Sequence, residues 1–177
     1  MFYRCHALKN IMFPERVGPA AVNMTGLFAD CFALESLDLS GFDTANVTAV
    51  RAMFYRCRAL TELNLAGMDT SSVSSMTYMF AGCGALTALD MKDLDTSGVT
   101  DMSSMFLACD DLTTLDLSSF DTAQAEMEDM FAYCSSLGSV TVGDLWKTEP
   151  GRGGDTLFHG CEQPVKILAG GERCVLK

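Results

Sequence analysis

Cysteine recurs in this chain at a nearly fixed interval. Cys5, Cys31, Cys57, Cys83, Cys109, Cys134 and Cys161 are separated by 26, 26, 26, 26, 25 and 27 residues, and only Cys174 stands outside the series. Each cysteine closes the same phrase, complete at Val73-Ser-Ser-Met-Thr-Tyr-Met-Phe-Ala-Gly-Cys83 and continued by Gly84-Ala-Leu86-Thr-Ala-Leu89-Asp-Met91. Self-similarity at a period of this size is the signature of a solenoid, in which each unit buries its apolar stripe only against its neighbours. The repeated residues are therefore scaffold. Whatever is specific to this protein must sit at the positions that vary between units.

Two shorter periods are interleaved within a unit. Leu37 and Leu39, Leu63 and Leu65, Leu89 and Met91, Leu115 and Leu117, and Val140 and Val142 alternate with mostly polar residues, as in a half-exposed strand. Val73, Met76, Met79, Phe80 and Cys83 recur at steps of three and four, which predicts a short helix with one buried stripe. The pairs Asp43-Thr44, Asp69-Thr70, Asp95-Thr96 and Asp121-Thr122 precede these segments and suit helix N-caps. They lack the alternating acidic loop of a calcium motif. The expected fold is an α/β repeat: a right-handed solenoid with short parallel strands on one face and short helices on the other. Residues 1–161 make about six to seven units. The first is degraded, with Pro14 to Pro19 in place of the Asp-Thr pair, and the turn-rich stretch 149–154 follows Trp146. Residues 162–177 read as a C-terminal cap, with a hairpin across Gly170-Gly171 as one form and a broken repeat as the other.

An apolar fraction of 49% is ample for a buried core, and 23 acidic against 12 basic residues give a formal charge of -11. That excess argues against nucleic acid or an anionic membrane as partner and leaves a basic or neutral protein, or a cation, open. No apolar run reaches the ~18 residues of a membrane span. Met1-Phe2-Tyr-Arg-Cys5 aligns with Met53-Phe54-Tyr-Arg-Cys57, so the chain starts inside a repeat, without a secretory signal, and reads as a piece of something longer. Placed on helices ~8 to 10 Å apart, most neighbouring cysteines would be too distant for a bond that wants Cα atoms within ~7 Å. Reduced, buried thiols are expected. Methionines at 53, 76, 79, 102, 105, 127 and 130 keep the core phase and read as packing.

On the strand face the outward residues Asp38, Asn64, Asp90 and Asp116 share one phase, followed by Thr141, with Glu62 and Lys92 beside them. Strand spacing sets such a row at intervals of ~4.8 Å. Adjacent solvated carboxylates there repel by about 1 kcal/mol, which Asn64 relieves. These six residues are the candidate ligand-binding set, suited to a basic segment of a partner; a merely solvated face is the plainer reading. Nothing points to catalysis, a metal or a cofactor. His6 and His159 belong to no zinc or nucleophile motif, and no phosphate-cradling glycine motif or C-x-x-C occurs.

The phrase Leu94-Asp95-Thr96-Ser-Gly-Val99-Thr-Asp-Met102-Ser-Ser-Met105-Phe106-Leu-Ala-Cys109, repeated in tandem, resembles the repeat of the BspA-like leucine-rich-repeat surface proteins of bacteria. The resemblance is dense from Leu27 to Cys134. It implies a leucine-rich-repeat solenoid, an extracellular or cell-surface location, and adhesion or protein binding without enzymatic activity, with host extracellular matrix among the candidate partners. No binding residue carries over, because the matched positions are the scaffold. The alternative is a structural spacer or a module that associates end to end with itself.

Overall fold

The computed structural model describes residues 1–13, 22–148, 151–169 and 172–175. Each 26-residue unit forms one coil of a parallel β-solenoid. The strands are β1 (Asn10–Ile11), β2 (Ser36–Asp38), β3 (Glu62–Asn64), β4 (Thr114–Leu117), β5 (Ser139–Val142), β6 (Lys166–Ala169) and β7 (Glu172–Val175). They form two sheets, ordered β1-β2-β3 and β4-β5-β6-β7, in which all neighbours are parallel except the antiparallel pair β6 and β7. Register follows the sequence period, with Leu37 opposite Leu63 and Leu115 opposite Val140. Residues 88–91 continue the row between β3 and β4 without ladder pairing to either. The proline-rich stretch 14–19 and the side chain of Cys174 lie outside what is described.

Among the described residues there is no helix, which overturns the α/β leucine-rich-repeat expectation. The phrase ending in cysteine is a staircase of turns. In the third coil, Met53, Tyr55 and Cys57 donate their N–H groups three residues back, to the carbonyls of Val50, Ala52 and Phe54. The alternate N–H groups of Ala52, Phe54 and Arg56 reach out to the carbonyls of Thr77, Met79 and Ala81 in the next coil, at 2.9, 2.9 and 2.7 Å. An α-helix spends every N–H within itself; here half of them tie coil to coil. The tight turning uses left-handed residues at alternate steps: Ala52 and Arg56 have φ of 51° and 59°, and Tyr78, Ser104 and Ala108 have 57°, 56° and 54°. Left-handed non-glycine residues are strained by about 1–2 kcal/mol each, and the inter-coil hydrogen bonds offset that strain.

Three columns of side chains stack through the interior. Phe2, Phe28, Phe54, Phe80, Phe106, Phe131 and Phe158 form a continuous pile, with centroids 5.3 to 5.8 Å apart and rings within 14° of parallel. Beside it, the repeat cysteines from Cys31 to Cys161 donate their thiols to the phenylalanine carbonyl of the preceding coil, as Cys57 to Phe28 at 3.2 Å, Cys83 to Phe54 at 3.2 Å and Cys109 to Phe80 at 3.3 Å. All seven cysteines whose side chains are described are free. Burial pushes the Cys83 thiol up to about 12, so it stays protonated and serves as a donor. The third column is buried threonine. Thr96 donates its hydroxyl to the Asp121 carbonyl at 3.2 Å and accepts the Asp121 N–H at 2.8 Å, and Thr122 does the same with Lys147.

The Asp-Thr pairs therefore have a different structural role from helix capping. The aspartate closes a two-residue turn, as when Asp95 accepts the Ser97 N–H at 2.9 Å and the Ser97 hydroxyl at 2.7 Å. The threonine clamps two coils together. No helix follows for the pair to cap.

Candidate binding groove

The strand face carries a groove of about 1180 Å³ that runs from Asn10 and Met12 in the first coil to Ser118 and Ser119 in the fifth. Its position follows from strand alternation. Leu37, Leu65, Leu115 and Leu117 turn inward and are buried, while their polar neighbours stand outward. The structure places all six sequence-identified candidates, Asp38, Glu62, Asn64, Asp90, Lys92 and Asp116, along this one groove, and all six are exposed.

Asp38 and Asn64 face each other across the β2–β3 ladder, at the same register. Each member of the row also closes a two-residue turn: Asp38 accepts the Ser40 N–H at 2.9 Å, Asn64 that of Ala66 at 3.0 Å, Asp90 that of Lys92 at 3.2 Å and Asp116 that of Ser118 at 2.9 Å. The row is thus fixed by its own backbone, and at Asp90 both carboxylate oxygens accept from Lys92, one from its backbone N–H and the other from its ammonium. The Ser40 amide, then the Ser40 hydroxyl, hold the Asp38 carboxyl below its ordinary range, and the Asn64 side chain adds to this. Lys92 lies 2.8 Å from Asp90, and this hydrogen bond lowers the Asp90 carboxyl and raises the Lys92 ammonium. With Glu62, the groove carries four carboxylates against one cation.

The sequence reading missed the first-coil end of the groove, Asn10 and Met12 of the degraded unit. Asn10 pairs with Ser36 in the ladder and its side-chain oxygen accepts the Ser36 hydroxyl at 2.9 Å. The 26-residue register was the available signal, since Ser36 lies one period beyond it. Among the described residues no cluster of histidine, cysteine and carboxylate could hold a metal, and no helix is long and apolar enough to cross a membrane.

One family model matches the chain, that described as "Mycoplasma protein of unknown function, DUF285", over residues 1–89, 22–141 and 61–166. No curated protein and no solved structure matches it.

Proposed function

We propose that this chain, which belongs to the DUF285 family, is a non-enzymatic protein-binding module that receives a basic segment of another protein in its strand-face groove. The supporting observation is the row of exposed carboxylates, Asp38, Asp90 and Asp116 with Glu62, lined up along one groove. An extended polypeptide laid across the coils would meet an acceptor at each rung, and extended solenoid faces are common binding surfaces. The resemblance of the repeat to BspA-like proteins supports a place on the bacterial cell surface and an adhesive role, with a host matrix protein as one class of partner.

Asparagine tests the groove cleanly, because Asn64 already shows that it preserves the strand-end turn. Titration of the D38N/D90N/D116N protein with a decalysine peptide should show affinity about tenfold lower, since exposed charge pairs contribute up to about 1 kcal/mol each. The variant D43N/D69N/D95N makes the same change in net charge outside the groove and should lose little. Equal losses in both variants would reduce the effect to net charge and remove the groove from the proposal.

A further inference from the structure

A second concavity lies on the turn side of the solenoid, away from the strand face. It has a volume of about 640 Å³ and opposed charged walls. Tyr55, Arg56 and Arg58 of the third coil form one wall; Asp110 and Asp111 of the fifth form the other. The fourth coil, between them, is the floor. The repeat explains its shape: Gly82 and Gly84 stand one period after Arg56 and Arg58, and Asp110 stands one period after Gly84. Losing two side chains in the middle coil opens a trough between a cationic and an anionic rim.

The rims are held in place by backbone. Ala85 donates to the Arg58 carbonyl at 3.3 Å, and Asp111 donates to the Gly84 carbonyl at 3.0 Å. Two coil steps of ~4.8 Å then separate the rims by about 10 Å. Arg56 is already engaged, 3.5 Å from Asp30 and lying against the rings of Phe32 and Tyr55. Arg58 rests over the Phe32 ring at 5.2 Å, and neither it nor Asp110 nor Asp111 makes an ion pair among the described residues. Tyr55 meets Tyr78 edge to face at 6.2 Å, and Tyr78 is exposed. Arginine and tyrosine are the residues most enriched where proteins bind proteins.

We propose that this trough binds an extended peptide segment carrying an acidic and a basic side chain two to four residues apart. At ~3.3 Å per residue such a segment spans the distance between the rims, its carboxylate toward Arg58 and its cation toward Asp110 and Asp111. A free amino acid, whose two charges share one carbon, cannot reach both. A nucleic acid or anionic lipid would meet the aspartate rim unfavourably. This site is independent of the strand-face groove and stands or falls without it.

The test is an amide NMR titration at about 0.15 M salt, using the peptide Gly-Ser-Glu-Ser-Gly-Lys-Ser-Gly and two controls in which both charged residues are glutamate or both are lysine. The mixed peptide should shift the Gly82 and Gly84 amides saturably and bind about tenfold more tightly than either control. R58Q and D110N, exposed changes that leave the core intact, should each weaken it severalfold. D38N/D90N/D116N should leave it unchanged, which separates this site from the groove. Absent shifts at Gly82 and Gly84, equal binding of all three peptides, or unaltered binding by R58Q and D110N would overturn the proposal.

Discussion

Replacing Phe80 with alanine should destabilise the protein by about 3–5 kcal/mol, the usual cost of truncating a buried phenylalanine. Phe80 is fully buried at the centre of the pile, with Phe54 at 5.5 Å on one side and Phe106 at 5.4 Å on the other. Its removal leaves a gap that both neighbouring rings border, and the inter-coil hydrogen bonds on either side limit how far they can close it. In a solenoid, where stability is a sum of terms between neighbours, the damage falls on two interfaces at once. Against a total stability of about 5–15 kcal/mol for a domain, such a loss approaches unfolding. The matching change at Phe158 should cost about half as much, because that ring is only partly buried and, among the described residues, stacks on Phe131 alone. Urea denaturation followed by circular dichroism measures both. Equal costs at the two positions would mean that the pile does not act as a continuous column.

A comparably large effect is expected from Gly153→Ala. Gly153 has φ of 79°, where a side chain is strained by about 1–2 kcal/mol. Its added Cβ would also run into the backbone nitrogen and Cα of Glu128. Backbone has no rotamer to move aside, so overpacking adds about 1–3 kcal/mol. The expected total is about 2–5 kcal/mol. The neighbouring hydrogen bond from Met127 to the Arg152 carbonyl, 2.9 Å long, should open first. Gly151→Ala separates the two causes, since Gly151 also has positive φ but its Cβ would meet nothing within 4 Å. It should show the strain cost alone. Amide exchange at Phe131 and Tyr133, which donate to the carbonyls of Leu157 and His159, should accelerate in Gly153→Ala and change little in Gly151→Ala.

The solenoid itself was legible from the cysteine period, and the strand face from alternation at pairs such as Leu63 and Leu65. The other face misled, for a reason that particular residues show. Val73, Met76, Met79 and Phe80 step by three and then one, which fits a helical stripe over that short window. From Phe80 the buried set continues through Cys83, Leu86 and Leu89 in steps of three. A helix advances about 100° per residue, so repeated three-residue steps drift off any one face by about 60° each. A succession of three-residue turns does not drift. The left-handed positions give a second clue that the sequence mostly hides: the residue before each repeat cysteine has positive φ, yet it is glycine only at Gly82 and Gly160, and Arg4, Asp30, Arg56, Ala108 and Tyr133 elsewhere. Propensity alone would not place those residues there.

The groove was partly legible because its row lies at a single phase of the repeat. Its first-coil end at Asn10 was missed because the surrounding unit is degraded. The turn-side trough depends on what stands one period apart in three coils, Arg58, Gly84 and Asp110, and so appears only when the coils are stacked in register.

The hydrogen-bond partner of a single amide decides between a staircase of turns and a helix. Through-bond scalar coupling across hydrogen bonds, measured by NMR, reports which carbonyl accepts the Phe80 N–H. The staircase predicts coupling to Met105, 2.9 Å away in the next coil. Coupling to Met76 instead, four residues back in the same coil, would show a helix and contradict the β-solenoid.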